Sequence, residues 1–188
     1  YESVLAAAGY KTGLYTSPHL ASYRERLVVA GQMITKAELA GLVTAIQPAI
    51  AAVIREGLGE PTEFEVGTVL AFQFFAAQQV EIAVVEVGMG GRFDATNVLQ
   101  PILTVITHLA LDHQQYLGDS LAAIAFEKAG IIKPGVPVVI GEQLPELEEL
   151  LVQTAKERQA PYRLARELST EKVSLNETGS SFQVATSL

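Results

Sequence analysis

Ile82-Ala83-Val84-Val85-Glu86-Val87-Gly88-Met89-Gly90-Gly91-Arg92-Phe93-Asp94-Ala95-Thr96-Asn97 is the stretch around which the chain is organised. It begins as a continuous apolar run, which is typical of a strand buried on both faces. The run ends at Glu86, and a glycine-rich and then polar segment follows. A buried strand that brings a carboxylate to its C-terminal end and opens into such a loop is typical of a nucleotide or metal site in an open α/β sheet. The simpler alternative is a strand and a glycine turn, with Glu86 merely at the protein surface.

The composition limits the class of protein. A chain of 188 residues with 49% hydrophobic and 18% charged residues predicts one folded domain with a sizeable core. The net charge of -8 argues against broad contact with nucleic acid, although local basic groups and Mg²⁺ would still allow an anionic small substrate. Cysteine is absent, which agrees with a reducing compartment, and we expect a cytoplasmic protein. No apolar run approaches the roughly 20 residues of a membrane span, so no membrane partner is expected.

Strand patterns alternate with helix patterns along the chain. Strands are predicted at 12–16, 27–30, 82–87, 102–107 and 136–140, and helices are predicted to begin at residues 2, 35, 62, 121 and 145. Pro48 predicts a kink or a break in the second helix, and Gly130 is expected at the C′ position that ends the fourth. The alternation predicts an α/β fold, with a mostly parallel sheet and helices on both faces. Residues 162–188 predict a small antiparallel addition.

Three strand ends of this predicted sheet carry polar side chains. Ser17 follows the first strand, Glu86 follows the central strand, and His113 lies in the loop after the next strand. A hydroxyl, a carboxylate and an imidazole from neighbouring strand ends can converge on a divalent cation, and hard oxygen ligands suit Mg²⁺. Taken singly, a serine such as Ser17 is more often a turn former, and a histidine such as His113 beside Asp112 is more often part of a capping or surface pair.

Lys128 ends an apolar stripe on its predicted helix, where Leu121, Ile124 and Ala125 precede it at helical spacing. One interpretation is snorkelling, in which the aliphatic stem lies along the core and the ammonium reaches water. The alternative is a partly desolvated amine with a lowered pKa. Such an amine is a nucleophile even toward CO₂, and the carbamate product would be an anionic metal ligand.

Other polar residues have ordinary explanations from the sequence alone. Thr62 and Glu65 form a capping box at the start of a helix, and Phe64 is explained by core burial. Arg92 and Asp94 are placed either to pair across the glycine turn or to hold a polar group of a substrate.

Several segments together carry a family resemblance. They are Gly-Tyr-Lys-Thr-Gly-Leu-Tyr-Thr-Ser-Pro-His-Leu (9–20), Arg-Glu-Arg (24–26), Thr-Glu-Phe-Glu (62–65), Val-Glu-Val-Gly-Met-Gly-Gly-Arg-Phe-Asp-Ala-Thr-Asn (85–97), Leu-Asp-His (111–113), Leu-Gly (117–118) and Ile-Ala-Phe-Glu-Lys-Ala-Gly-Ile (124–131). On these segments the chain resembles the folylpolyglutamate and dihydrofolate synthases, the folate branch of the Mur-ligase-like amide-bond ligases. The matching segments cover most of residues 2–141, and their order is that of the family.

The resemblance implies an ATP-dependent ligase with a P-loop NTPase-like central domain. Such an enzyme phosphorylates a dihydropteroate or folate carboxylate, and the amine of L-glutamate then attacks the acyl phosphate to give an amide, ADP and phosphate. The resemblance also assigns roles to residues. The implied Mg²⁺ ligands are Ser17, Glu86 and His113; the implied carbamylated, metal-bridging lysine is Lys128; the implied pterin-side residues are Thr62, Arg92, Phe93, Asp94 and Ala95.

The same resemblance sets the expected domain organisation. Residues 1–188 correspond to the ATP-binding central domain, without the family's phosphate-binding loop upstream and without its C-terminal domain downstream. We therefore expect this stretch alone to be inactive, and the full-length protein to be a monomer that binds only small molecules. Two alternatives remain open from the sequence: a Mur-type cell-wall amino-acid ligase, and a non-catalytic nucleotide-binding module.

Overall fold

The computed structural model describes residues 1–110, 120–168, 170–177 and 179–184. The chain divides into two compact units. The first comprises Tyr1–Met89 and Asp94–Val98, and the second comprises Gly90–Phe93 and Leu99–Leu188. The four residues Gly90–Phe93 of the glycine-rich loop therefore pack with the second unit, although the chain on either side of them belongs to the first.

A four-stranded sheet forms the centre of the first unit. Its strands are β1 (Thr12–Tyr15), β2 (Leu27–Val29), β3 (Gln32–Met33) and β4 (Ile82–Val85), in the order β3-β2-β1-β4. β1 and β4 are parallel, and β2 pairs antiparallel with both β1 and β3. The helices of this unit are α1 (Glu2–Ala7), α2 (Lys36–Arg55) and α3 (Glu63–Ala77). The parallel β1–β4 pair brings two strand C-termini to the same edge of the sheet.

The helix starts of this unit follow the predicted capping boxes. The Thr35 and Thr62 side chains accept hydrogen bonds from the backbone N–H groups of Glu38 and Glu65, and each glutamate bonds back. α2 continues through Pro48, so a break there is wrong, while a kink at this position stays a prediction. Ile46 is buried and anchors α2 to the core of the unit, which opposes the local cost of the proline.

The core of the first unit is apolar and aromatic. Its buried members include Tyr15, Leu27, Ile34, Ile46, Leu70, Ala71, Phe74 and Phe75. β4 is only half-buried, and its Ala83 is exposed, so the prediction of a strand buried on both faces is wrong. The physical reason is position, because β4 is an edge strand of the sheet within the described part of the chain.

The second unit contains a parallel sheet with the strand order β5-β6-β7. These strands are β5 (Thr104–Ile106), β6 (Val138–Ile140) and β7 (Tyr162–Leu164), and the helices of the unit are α4 (Leu121–Ala129) and α5 (Pro145–Glu157). The apolar core of this unit includes Ile106, Ala125, Ile132, Ile140, Leu147 and Leu151. The α/β class predicted from the alternation of elements is confirmed.

A separate antiparallel hairpin follows, formed by β8 (Thr170–Asn176) and β9 (Gly179–Val184). The small antiparallel addition is therefore present, but its predicted start at residue 162 is wrong. Residues Tyr162–Leu164 form β7, which pairs in parallel with β6 because the crossover through α5 returns the chain in the same direction.

α2 is the one helix in the described part of the chain that is long and apolar enough to meet the length and composition criteria for a membrane span. No membrane-spanning helix was expected from the sequence. Many of the exposed residues of α2 are alanines, which keep the average hydropathy high without adding bulky apolar side chains. α2 also packs against α3, and length and composition alone are weak evidence for a span.

Candidate active site

Ser17 and Glu86 lie next to each other at the C-terminal ends of β1 and β4. The register places Tyr15 opposite Val85, and the Glu86 backbone N–H continues the ladder to the Tyr15 carbonyl at 2.9 Å. The backbone N–H of Ser17 donates to Glu86 Oε2 at 2.8 Å. Within the described residues, Glu86 Oε1 and the Ser17 hydroxyl have no hydrogen-bond partner. Two hard oxygen donors are therefore available at the predicted position of the metal.

The loop that carries Ser17 is held by Glu25. The Glu25 carboxylate accepts backbone N–H bonds from Leu20 at 2.8 Å, Ala21 at 3.0 Å and Ser22 at 2.6 Å. These bonds, the one from Leu20 first, lower the pKa of the Glu25 carboxyl. Glu25 was not among the residues predicted from the sequence. Its signal is the spacing of Ser22 and Glu25, which form a capping box around the 3₁₀ helix Tyr23–Arg26.

His19, in the same loop, contacts a buried arginine. Arg26 Nε donates to His19 Nδ1 at 3.0 Å, and the Arg26 side chain also pairs with Glu63 at 3.6 Å. The Tyr23 ring lies against both the His19 ring and the Arg26 guanidinium. Burial, the largest cause, raises the pKa of Tyr23 to about 12. The Ser17–Pro18 peptide bond in this loop is cis.

Thr62 occupies the N-cap of α3. Its backbone N–H and its hydroxyl donate to Glu65 Oε2 at 2.7 and 2.8 Å, and these bonds lower the pKa of the Glu65 carboxyl. Two residues later, the Phe64 ring packs so closely on Gly88 that an added Cβ there would lie 2.4 Å from it. The N-terminus of α3 therefore lies beside the start of the glycine-rich loop, which we define as residues 88–95.

Asp94 closes one part of this loop on itself. Its carboxylate accepts the backbone N–H of Met89 at 2.9 Å, the backbone N–H of Thr96 at 2.9 Å and the Thr96 hydroxyl. Ala95 follows directly and starts a short 3₁₀ helix, Ala95–Val98. Asp94 therefore orders the loop through backbone donors, an arrangement that the sequence alternatives for this side chain did not include.

Arg92, in the second unit, pairs with Glu127 on α4. Arg92 Nη2 lies 2.7 Å from Glu127 Oε1, and Nε lies 3.3 Å from Oε2. The guanidinium also lies over the rings of Phe93 and Phe126, at 4.2 and 5.1 Å from their centroids. Hydrogen bonding to Glu127 raises the pKa of Arg92. Glu127 was not predicted as a partner of Arg92, and the two residues are 35 positions apart.

Two glycines allow the loop to approach the end of α4. A Cβ added at Gly130 would lie 2.5 Å from Arg92 Cα, and one added at Gly91 would lie 2.8 Å from the Glu127 carbonyl oxygen. Gly130 is the C-cap residue, and its φ of -58° and ψ of -20° are those of a right-handed helix. The prediction of a left-handed glycine at the C′ position is therefore wrong. Close packing against Arg92 requires a glycine at this position, whereas any residue could adopt its backbone conformation.

Lys128 lies in the last turn of α4, where it is half-buried. Ile124 and Ala125 on the same stripe are fully buried, as the helical spacing predicted. Within the described residues, the Lys128 ammonium makes no hydrogen bond or ion pair. The position therefore fits both snorkelling and carbamate formation, and the carbamate stays a prediction.

The proposed metal ligands are only partly described. Ser17 and Glu86 lie together in the first unit, and Lys128 lies in the second. His113, together with Asp112, lies outside the described residues. Across the residues whose placement is described, no cluster of three or more His, Cys, Asp or Glu side chains is arranged to hold a metal ion. The magnesium site therefore stays a prediction.

Comparison with known proteins defines the class of domain. Residues 31–187 match the model of the Mur ligase middle domain, so the chain belongs to this family. Over 162 residues it is 42% identical to the dihydrofolate synthase/folylpolyglutamate synthase of Bacillus subtilis, an alignment that covers 86% of the chain and 38% of that relative. The chain thus spans well under half the length of this relative.

Solved structures agree in fold. The folylpolyglutamate synthase of Mycobacterium tuberculosis complexed with ADP and AMPPCP superposes with a TM-score of 0.90 at 37% identity, covering 97% of the chain and 43% of that structure. A second structure, described as an FPGS–AMPPCP–folate complex, gives a TM-score of 0.90 at 38% identity, with 96% and 45% covered. The resemblance found from the sequence motifs is therefore confirmed.

Proposed function

We propose that the full-length protein containing this chain is an ATP-dependent ligase that joins L-glutamate to dihydropteroate, to tetrahydrofolate polyglutamates, or to both. The observation that carries the proposal is the pairing of Ser17 with the Glu86 carboxylate at adjacent parallel strand ends, where α/β sheets bind ligands. The similarity to folylpolyglutamate and dihydrofolate synthases supports it.

The chemistry requires activation of a carboxylate. A carboxylate oxygen of the acceptor attacks the γ-phosphorus of ATP, the bond to the β-bridging oxygen breaks, and ADP leaves. The glutamate amine then attacks the acyl carbon, phosphate leaves, and the amine loses a proton to give the amide. Phosphoryl transfer depends mainly on positioning and charge neutralisation, so rigid placement of the polar groups matters more than covalent help from the protein.

Mg²⁺ is the metal that the described donors fit. The Ser17 hydroxyl and Glu86 Oε1, which have no hydrogen-bond partner among the described residues, are hard oxygen donors, and Mg²⁺ keeps several waters and needs few protein ligands. We assign Ser17, Glu86 and His113 as its ligands. When bound, the metal would neutralise charge on the phosphates. The chain's own contribution is to hold the Glu86 carboxylate in place through the Ser17 N–H.

Lys128 supplies the second proposed anionic group. Its amine would add to CO₂ and lose a proton, which gives a carbamate and converts a cationic side chain into an anionic ligand. The half-buried position on α4 and the absence of a partner among the described residues support this role. We assign Lys128, Glu86 and His113 as the catalytic residues.

The acceptor side is assigned to Thr62 and to the loop residues Arg92, Phe93, Asp94 and Ala95. Phe93 is 82% exposed, and an exposed aromatic ring next to an ordered loop offers a surface for a planar heterocycle. The proposed partners are ATP, L-glutamate and the pteridine acceptor, and we expect a cytoplasmic monomer.

The test is an assay of the full-length protein with ATP, Mg²⁺ and labelled L-glutamate. Dihydropteroate, tetrahydrofolate and a nucleotide-linked muramoyl acceptor are supplied in parallel, and glutamate incorporation is followed together with ADP release. Incorporation with either pteridine substrate is expected. Incorporation only with the muramoyl acceptor would replace the proposal by a cell-wall ligase, and ATP binding without any incorporation would favour a non-catalytic module.

A further inference from the structure

The contact between Arg92 and Glu127 joins the glycine-rich loop to the helix that carries Lys128. We propose that Glu127 is a positioning residue, which holds the segment Gly90–Phe93 on the last turn of α4 and so sets the place of the acceptor relative to Lys128. This inference rests on the proposed function, because it concerns the same acceptor. It assigns a role to Glu127, and it gives Arg92, beside its proposed place on the acceptor side, a partner that fixes its orientation.

Three hydrogen bonds link the two segments. The backbone N–H of Arg92 donates to the Glu127 carbonyl at 2.9 Å, and the guanidinium makes the two bonds to the Glu127 carboxylate. The Glu127 carbonyl belongs to the last turn of α4 and also accepts the Gly130 backbone N–H at 3.2 Å, so the Arg92 N–H is a second donor to the same oxygen. The loop is therefore bound to the end of the helix through its backbone, and the side chains fix its orientation.

The side-chain geometry restricts Arg92 to one direction. Phe93 and Phe126 both lie within cation–π distance of the guanidinium, and Glu127 binds its edge. Phe93 belongs to the loop and Phe126 to α4, so the arginine is bound to both segments at once. A planar, two-pronged guanidinium suits this arrangement, whereas a lysine ammonium has no fork to match the carboxylate.

The same contact places the loop against the backbone of Lys128. A Cβ added at Gly91 would lie 3.1 Å from Lys128 Cα, so the loop and the lysine backbone are in direct contact. Displacement of Gly90–Phe93 would therefore move Phe93, on the proposed acceptor side, relative to Lys128. Such a shift would weaken the contact between Phe93 and the acceptor, and this loss appears in the KM for the acceptor.

A second ion pair in the same unit offers a matched control. Arg166 binds Glu148 through Nε and Nη2, both at 2.8 Å. The arginine and glutamate side chains of this pair are 53% and 15% exposed, against 42% and 20% in the Arg92–Glu127 pair. The two pairs therefore match in chemistry and exposure, and Glu148 lies on α5, outside the loop contact.

The experiment measures Glu127→Gln, Arg92→Gln, the exchange variant Arg92→Glu/Glu127→Arg and the control Glu148→Gln in the full-length protein. We expect Glu127→Gln and Arg92→Gln to raise KM for the pteridine acceptor by about three- to tenfold, and KM for ATP to stay unchanged. In the exchange variant, at least half of the increase in log KM for the acceptor should be reversed. Glu148→Gln should leave both constants unchanged.

A merely structural role has a different signature. It would lower the melting temperature and reduce kcat for all substrates together, in Glu127→Gln and Glu148→Gln alike. Either that pattern, or an unchanged acceptor KM in Glu127→Gln, would overturn the proposal. The exchange variant is a further test of the proposal. If its acceptor KM is no lower than that of the single variants, the two side chains do not act as a pair.

Hydrogen exchange separates this inference from the proposed function. The Arg92 amide donates to the Glu127 carbonyl, so Glu127→Gln should speed its exchange by about threefold or more, while Glu148→Gln should not. This readout needs no substrate. If the Arg92 amide exchanges faster in Glu127→Gln but the wild type has no ligase activity, the proposed function is refuted and the loop contact is supported. If its exchange is unchanged and the wild type is active, only the contact is refuted.

Discussion

The backbone N–H of Ser17 donates to the carboxylate of Glu86 at 2.8 Å, across the ends of two parallel strands. The bond occupies Oε2 and fixes the orientation of the carboxyl group, while Oε1 has no partner among the described residues. A carboxylate held in this way is preorganised, because its geometry is set before any ligand binds.

Glu86→Gln is expected to abolish glutamate addition in the full-length protein, with a loss of at least about 100-fold in kcat. The amide keeps an oxygen that can accept the Ser17 N–H, so the melting temperature should change little. The matched control is Glu81→Gln, because Glu81 precedes β4 and accepts a backbone N–H from Lys11 at 2.7 Å. Turnover close to wild type in Glu86→Gln would refute the role of the carboxylate.

Lys128→Ala is expected to abolish activity, and Lys128→Arg should not restore it, because a guanidinium does not form the carbamate. The free energy of unfolding should change by only about 0.5 kcal/mol, because the half-buried Lys128 side chain makes no hydrogen bond or ion pair within the described residues. Lys156→Ala is the control, since Lys156 is likewise in the last turn of its helix, α5. Activity of the wild type should rise with added bicarbonate; full activity of Lys128→Arg would contradict the carbamate assignment.

Short-range rules predicted the parts of this fold that are set locally. The capping boxes at Thr35 and Thr62 occur as expected, since their donors and acceptors lie within one helical turn. The meeting of Ser17 and Glu86 also followed from the sequence, because parallel strands end at the same edge of a sheet. Both predictions depend on local pattern and strand direction alone.

Long-range packing was outside the reach of those rules. Sequence spacing does not indicate that Arg92 pairs with Glu127, because this ion pair depends on how the loop lies on α4. The same contact explains the error at Gly130, where a glycine at a helix end suggested a left-handed residue although close packing is the cause. The exposure of β4 likewise depends on its place in the strand order, which an apolar run does not reveal.

Gly130→Ala and Gly41→Ala are expected to change stability in opposite directions. At Gly130 the added methyl group would meet Arg92 backbone atoms at 2.5 and 2.8 Å, so the substitution should cost about 1–3 kcal/mol. At Gly41, within α2, nothing lies within 4 Å, and alanine should stabilise the helix by about 0.8–1 kcal/mol. Urea unfolding of the two variants measures both effects. A stabilising Gly130→Ala would show that the loop does not approach α4 this closely.

Glu25 is expected to make the stability of the protein depend on pH. Its carboxyl pKa is lowered in the folded protein from an ordinary value of 4.5, mainly by the Leu20 N–H, so the stabilisation is fully present above that value and is lost as the pH falls through the lower folded pKa. Glu25→Gln removes the charge and turns an amide N–H toward a backbone donor. The variant should therefore have a lower urea midpoint than the wild type at about pH 7, and the difference should shrink steadily toward about pH 3.

Glu149→Gln provides the control for this pH series. The Glu149 side chain is exposed on α5, and its carboxylate has no hydrogen-bond partner among the described residues. Its substitution should shift the midpoint little at either pH, because no set of backbone donors depends on its charge. The opposite result is that the urea midpoints of wild type and Glu25→Gln differ by the same amount at every pH. That result would mean that the carboxylate charge does not hold the Ser17 loop, and that the three N–H bonds act only through their geometry.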